Sequence, residues 1–381
     1  MSAAARKLVV LGAGGTGGHM FPAQALARAL LARGREVVLI TDERGAGFGP
    51  ELPQVETYRI KAGGIAGGGL LRKLTSLWSL GLGTLQAGGL LKRLQPDCVV
   101  GFGGYASVPS VFAASRRGLR ILLHEQNAVM GRANKLMAGR ATTIATSFPA
   151  VQGLAPALQE RTVLTGNPVR AAVAALGSRP YALPGPNDRL RLLVTGGSQG
   201  AAVFDNLIPE AVSRLPETLC RRLHVTQQVR GRDLEDVRAD YTACGVETDL
   251  KAFFDDLPER LAASHLVICR AGASTIAELC AAGRPAILVP YPFATDDHQS
   301  ANAAALETAG GGWLMPQSSL DAAGLAERLA VVLDSPSELA RAAGAARALA
   351  KLEAAEHLAD LVCSETGRNG GTDHDERERA A

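Results

Sequence analysis

"LVVLGAGGTGGHMFPAQALARAL" (residues 8–30) is the stretch whose reading decides the fold. An apolar run, Leu8 to Leu11, enters a glycine cluster, and a segment with apolar residues at helical spacing follows. The run reads as a buried strand and the last part as a helix. Gly12, Gly14 and Gly17 fit G-x-G-x-x-G, a strand-to-helix turn whose backbone amides approach an anion at a helix N-terminus. One candidate ligand is a nicotinamide cofactor, with Asp42 at the end of the second strand holding its ribose. A tight turn without ligand is another reading. His19, where the helix should begin, is asked for by neither.

The pattern continues. Strands are expected at 7–11, 36–40, 97–100, 120–123 and 142–145, with helices such as 22–33 and 108–117 between them. "RLRLLVTGGSQGAAVFDNLIPEAV" (residues 189–212) then restarts the same unit. Strands at 223–226, 247–252, 266–269 and 286–289 follow it. The alternation predicts an α/β fold of two tandem Rossmann-like domains facing a cleft, with ligands beyond the carboxyl ends of the strands. "GSRPYALPGPND" (177–188) is the approach to the second domain.

Composition narrows the function. The chain has 381 residues, 47% of them hydrophobic, which suffices for two cores. A net charge of +3 is too small to imply nucleic acid. Six dispersed cysteines without a C-x-x-C pair read as reduced core thiols in a cytoplasmic protein. The apolar run at 8–11 is too short for a secretory leader. Residues 74–91 are uncharged but contain Thr75, Ser76, Ser79, Thr84, Gln86 and four glycines, so they read as amphipathic rather than membrane-spanning. Leu70, Leu74, Leu77, Trp78, Leu82 and Leu85 recur there at helical spacing, flanked by Arg72, Lys73, Lys92 and Arg93. That stripe suits an anionic membrane surface or an ordinary core.

Polar residues cluster at the expected strand ends. An imidazole at His19 can take a proton from a hydroxyl, or merely brace the loop. "GFGGYASVPS" (101–110) is a second glycine loop. "LHEQNAVMGRANK" (122–135) carries His124, Glu125, Gln126 and Asn127, a cluster costly to bury unless satisfied. Asn127 could serve sugar hydroxyls, and ordering the loop is the other reading for all four. In the second half, "GGSQGA" (196–201) is an anion loop, and "CRAGASTIAELCAAGRPAILVPYP" (269–292) opens a helix near Ser274. Ser274 and Thr275 could cap that helix or bind phosphate. Glu278, one turn on, suits a ribose diol or only the helix dipole. In "TDDHQSANA" (295–303), His298 and Gln299 can read sugar hydroxyls, while Asp296 and Asp297 serve as caps. Arg170 in "GNPVR" (166–170) can meet a phosphate or form a structural ion pair.

"GGTGGHMFPAQALA", "GFGGYASVP", "LHEQNAVMG", "GNPVR", "GGSQGA", "CRAGASTIAEL" and "DDHQSANA" occur in this order. Together they resemble the MurG family, the UDP-N-acetylglucosamine:undecaprenyl-pyrophosphoryl-muramoyl-pentapeptide N-acetylglucosamine transferases, over residues 7–361. The resemblance implies a GT-B fold and transfer of GlcNAc from UDP-GlcNAc to the muramoyl sugar of lipid I, giving lipid II with inversion at the anomeric carbon. It implies peripheral attachment to the cytoplasmic face of the bacterial inner membrane, and no bound metal or other cofactor.

By motif, the resemblance places Thr16, Gly17 and Gly18 near the donor's sugar and phosphates, and Asn127 on the GlcNAc. Arg170 and Ser198 would serve the diphosphate. Phe254 in "AFFDD" would offer backbone groups to uracil. Ala273, Ser274 and Thr275 would form the phosphate-binding helix start, with Glu278 on the ribose. His298 and Gln299 would read GlcNAc hydroxyls, and one extra residue after Pro290, relative to some relatives, leaves open which of them makes the contact. His19 is the first choice of base and Glu125 the second. Expected domains are 1–170 (acceptor and membrane), 171–349 (UDP-sugar), 350–365 (a helix packing back on the first domain) and 366–381 (a disordered tail, whose Asp373 and Asp375 form a chance D-x-D). The alternative is another GT-B UDP-sugar enzyme, an epimerase or a transferase with a soluble acceptor.

Overall fold

A computed structural model describes residues 7–14, 17–43, 45, 47–63 and 70–367. Thr16, the expected tail from 368 onward and its two aspartates lie outside the described residues. The chain divides into two units, one of Met1–Gln126, Met130–Pro168 and Glu353–Ala381, the other of Asn127–Val129 and Val169–Leu352.

The first unit is built on a parallel sheet of β1 (Leu8–Gly12), β2 (Glu36–Asp42), β3 (Glu56–Ile60), β4 (Cys98–Gly101), β5 (Arg120–Glu125), β6 (Thr143–Thr146) and β7 (Thr162–Leu164). Its strand order is β3-β2-β1-β4-β5-β6-β7. The order reverses between β1 and β4, which pair in parallel from Val9 against Cys98 to Gly12 against Gly101. Such a reversal opens a crevice at the carboxyl ends of the two strands. Both faces of β1 are covered. Val9 and Leu11 join one apolar cluster, Leu8 and Val10 the other. A strand buried on both faces needs a continuous apolar run, as residues 8–11 provide.

Helices α1 (Gly17–Ala32), α2 (Leu70–Leu94), α3 (Val108–Ser115) and α4 (Arg132–Met137) connect these strands. α1 begins at Gly17, a full turn before Phe21, so His19 lies in the first helical turn and not in the loop. Pro22 made the later start the natural expectation, because proline favours a first turn. Lacking an N–H, it leaves the carbonyl one turn back without its helical bond.

α2 buries one side against the first unit. Ser76, Gly83, Ala87 and Leu91 are buried, and a Cβ on Gly83 would stand 1.7 Å from the Lys61 carbonyl. Trp78 is 72% exposed and Leu85 74% exposed. The side chains of Leu70, Arg72, Lys73, Leu74 and Leu77 lie outside the described residues, and Trp78 and Leu85 of the stripe do not face the core. Among the described residues no helix is long and apolar enough to cross a membrane.

The second unit repeats the plan with β8 (Leu190–Thr195), β9 (Leu223–Gln228), β10 (Glu247–Lys251), β11 (Leu266–Cys269), β12 (Ala286–Leu288) and β13 (Gly312–Leu314). The order is β10-β9-β8-β11-β12-β13, with its reversal between β8 and β11. Helices α5 (Ala171–Ala174), α6 (Phe204–Val212), α7 (Glu217–Cys220), α8 (Leu234–Ala243), α9 (Leu257–Ala263), α10 (Ala273–Ala282), α11 (His298–Thr308), α12 (Ala322–Leu333) and α13 (Pro336–Ala348) surround the sheet. The last helix, α14 (Ala354–Gly367), returns to the first unit, where Leu358, Ala359 and Val362 are fully buried in the cluster with Val9 and Leu11. Arg33 donates to Asp360, and Thr143 and Arg120 donate to Glu365, so the docking is also polar.

Candidate active site

In the first unit the loops after β1 and β4 meet at the strand-order reversal. Gly103 and Gly104 in the second loop adopt left-handed backbone (φ 79° and 68°), which favours glycine. The His19 ring rests on them. A Cβ on Gly104 would lie 3.3 Å from His19 Cδ2, and one on Gly103 3.4 Å from Cε1. The second glycine loop thus makes room for the imidazole that α1 presents. Gly17 and Gly18 form the start of that helix, and Gly17 is covered by the Phe21 ring.

The polar cluster at the end of β5 is satisfied largely by neighbouring loops and by His19. Glu125 is 1% exposed, and its Oε2 accepts from the Gly131 amide (2.9 Å) and from Asn134 Nδ2 (2.8 Å). It therefore braces the turn into α4, the loop-ordering role. His124 is fully buried and bonds the Gly166 carbonyl through Nε2 at 3.1 Å. Burial pushes its pKa down to about 4, so the ring is neutral. Gln126 bonds His19 Nδ1 through Oε1 at 3.2 Å.

In the second unit, β11 leads through Arg270 and Ala271 into α10. Gly272, not Ser274 or Thr275, is the N-cap of α10. Ala273, Ser274 and Thr275 are the first three helical residues, whose amides lack helical acceptors. Ser274 Oγ is buried with no hydrogen-bond partner. An orphaned hydroxyl at a helix N-terminus is suited to an anion. One turn on, Glu278 Oε1 accepts from Arg170 Nε at 2.9 Å. The structural ion pair considered for Arg170 thus forms, and it joins two residues expected on different parts of one ligand. Burial raises the Glu278 pKa, and the Arg170 charge and hydrogen bond oppose that.

The loop after β8 is held from below. Gln228 Oε1 accepts from the Gly196 amide at 3.1 Å, and Gly197 and Gly200 take left-handed backbone (φ 74° and 75°). Ser198 is exposed at its tip. α6 starts only at Phe204, three residues beyond "GGSQGA". Phe254 is 6% exposed with the Arg260 guanidinium 4.3 Å from its ring centre, which pins the backbone expected to meet a base.

At the start of α11, Asp296 and Asp297 are left-handed (φ 52° and 50°), unusual for non-glycine residues. Asp297, the N-cap of α11, makes no side-chain hydrogen bond to the helix amides, and its Oδ1 accepts instead from Ser300 Oγ at 2.7 Å. His298 Nδ1 donates to the Thr295 carbonyl at 2.7 Å, which places the neutral ring's lone pair on Nε2. Gln299 Oε1 accepts from the Tyr291 and Ala271 amides, tying together the ends of β11 and β12. Asn127 Oδ1 accepts from Asn302 Nδ2 at 3.1 Å.

Two matched domains now agree with the two sheets. Residues 9–146 match the Glycosyltransferase family 28 N-terminal domain, and residues 191–361 match the Glycosyltransferase family 28 C-terminal domain. The UDP-N-acetylglucosamine--N-acetylmuramyl-(pentapeptide) pyrophosphoryl-undecaprenol N-acetylglucosamine transferase of Rhodospirillum centenum is 56% identical, over 98% of each chain. That of Paramagnetospirillum magneticum is 54% identical, over 94% of this chain and 96% of its own. The crystal structure of Acinetobacter baumannii MurG aligns with a TM-score of 0.78 at 30% identity, covering 94% of this chain and 99% of that one. The chain belongs to the MurG family. Its fold is the GT-B type, two Rossmann-like units with a C-terminal helix.

The MurG-family fold also uses residues that motif reading left without a role. Asn302 is fully buried. It accepts from the Ala128 amide and donates to Asn127 Oδ1 and the Ala271 carbonyl. Its signal was only its spacing, one turn after His298. Arg270, 8% exposed, donates to the carbonyls of Val289 and Pro290 and sets the end of β12.

Proposed function

We infer that this chain is an inverting hexosyltransferase that moves GlcNAc from UDP-GlcNAc to the muramoyl sugar of lipid I, giving lipid II for peptidoglycan synthesis. The observation that carries this is identity above half over 98% of the chain with the Rhodospirillum centenum transferase. The acceptor hydroxyl attacks the anomeric carbon on the face opposite UDP. A base takes the hydroxyl proton, the C–O bond to the diphosphate breaks, and its electron pair leaves with UDP.

The following residue roles belong to this reading, and the placements support them. The amides of Ala273, Ser274 and Thr275, with Ser274 Oγ and Ser198, receive the diphosphate, as positive helix ends stabilise a leaving anion. Arg170 is held beside them by Glu278. Glu278 serves the ribose and Phe254 the uracil through its backbone. His298 reads a GlcNAc hydroxyl through Nε2, while Gln299 has its carbonyl committed to two amides. Asn127, oriented by Asn302, faces the same sugar. Gly17, Gly18 and Thr16 are assigned to the reacting end. His19 is the base. Glu125, with Oε2 already accepting twice, is the weaker candidate.

The enzyme works at the cytoplasmic face of the inner membrane as a peripheral protein, with exposed Trp78 and Leu85 as the apolar contact and Lys92 and Arg93 at the end of α2 toward anionic headgroups.

The test is GlcNAc transfer to a lipid I analogue, paired with thermal shift. His19→Ala should lower kcat by ~10²–10⁴, the usual share of a general base, while the shift given by UDP stays as in the wild type. Near wild-type kcat in that variant would remove His19 as the base. A thermal shift with NAD and none with UDP or UDP-GlcNAc would overturn the donor assignment.

A further inference from the structure

Between His19 and the buried loop lies a chain of hydrogen bonds whose polarity can be read from one end to the other. It starts at the Gly166 carbonyl, which can only accept. His124 Nε2 lies 3.1 Å from it and must therefore carry the proton. The neutral His124 ring then has its lone pair on Nδ1. Gln126 Nε2 lies 3.0 Å from that nitrogen, 3.0 Å from the Phe102 carbonyl and 3.1 Å from the His124 carbonyl. The two carbonyl oxygens can only accept, so the end of Gln126 that faces them is its NH2, whose two hydrogens are shared among the three acceptors, and the orientation of the side chain is decided by its surroundings. The opposite end, Oε1, faces His19 Nδ1 at 3.2 Å. An amide oxygen cannot donate, so the hydrogen in that bond belongs to His19 Nδ1.

We propose that His124 and Gln126 are positioning residues that fix the tautomer of His19, placing its N–H on Nδ1 and its lone pair on Nε2, the nitrogen that takes the acceptor's proton. This rests on the reading of His19 as the base. The role is that of the carboxylate in a catalytic triad, which also sets the tautomer of a histidine, but here a neutral amide performs it. The amide orients the ring without adding a negative charge beside it. The proton balance is simple. The hydroxyl proton moves to Nε2, the ring becomes an imidazolium, and Nδ1–H remains bonded to Gln126 Oε1. The second glycine loop packs on the Nε2 side of the ring, where a Cβ on Gly104 would stand 3.5 Å from Nε2.

The test reads the tautomer directly. In the full-length protein labelled with ¹⁵N-histidine, long-range ¹H–¹⁵N correlation above the pH where His19 titrates should give a protonated Nδ1 and an unprotonated Nε2. His19→Ala assigns the signal. A proton on Nε2 in the wild type would overturn the proposal without any variant being made. Gln126→Met keeps the length of the side chain and removes both polar ends. It should turn the His19 signals into a mixture of tautomers and lower kcat about ten-fold, less than the loss of the base itself, with KM for UDP-GlcNAc unchanged. An unchanged tautomer with unchanged kcat in that variant would also overturn the relay. Wild-type kcat in His19→Ala would instead overturn the base assignment, and with it the catalytic purpose of the relay. The wild-type tautomer measurement tells the two failures apart.

Discussion

Single side chains in this protein hold specific protonation or hydrogen-bond states. Ser274 Oγ has no partner, so Ser274→Ala removes nothing that stabilises the fold, and stability should stay within about 0.5 kcal/mol of the wild type. Loss of one hydrogen bond to a charged phosphate, ~1.5 kcal/mol or more, should raise KM for UDP-GlcNAc about ten-fold. Chemical denaturation and steady-state kinetics on one variant check both halves. His124 gives a pH prediction. Its folded pKa of about 4 is below the ordinary 6.5, so the unfolded chain binds a proton that the native ring refuses. Stability is fully present above about 6.5 and is lost as pH falls toward 4, with a slope approaching about 1.4 kcal/mol per pH unit. His265, also depressed to about 4 by burial and nearby arginines, acts in the same direction. Urea unfolding at a series of pH values should show that decline, and His124→Asn should flatten part of it.

Among the elements, α1 and α2 carry the largest consequences. The first turn of α1 presents His19 against two left-handed glycines, so Gly104→Ala has two effects. The left-handed backbone costs ~1–2 kcal/mol, and the new Cβ comes within 3.3 Å of the imidazole. Lower thermal stability and a lower kcat should appear together, read by calorimetry and steady-state kinetics on the one variant. α2 separates packing from its exposed face. Ser76, Gly83, Ala87 and Leu91 pack inward, and Trp78 and Leu85 point out. Burying such a side chain in a membrane is worth ~1.5–3 kcal/mol, so Trp78→Ala should weaken co-sedimentation with anionic vesicles about ten-fold or more and leave Tm nearly unchanged. Unaltered binding to vesicles would exclude Trp78 from the membrane contact.

At the scale of the whole molecule, the chain end completes a domain that the chain start began. α14 follows the second unit in sequence but supplies Leu358, Ala359 and Val362 to the core of the first. Leu358→Ala should therefore cost ~2–5 kcal/mol and lower the calorimetric Tm by several degrees, while KM for UDP-GlcNAc stays constant. The same nucleotide-fold plan occurs twice, each with its strand-order reversal flanked by glycine loops. Duplication places the loops, and the side chains after them divide the work.

The sequence by itself determined the repeated strand, glycine turn and helix, because strands buried on two faces must be continuously apolar and their turns need glycine. It also determined the family, through seven ordered motifs. It did not reveal β3, β7 and β13, whose residues are few or mixed polar and apolar, so no continuous run marks them. Motif spacing found His19, Ser274 and Glu278, but not what they touch. That Glu278 holds Arg170, that Asn302 orients Asn127 and that Gln126 faces His19 depend on residues 108, 175 and 107 positions apart. Only the tertiary structure decided those pairings. The direction of a hydrogen bond, and so the tautomer of a histidine, is set by which groups surround it in space, and no local pattern in the chain encodes that neighbourhood.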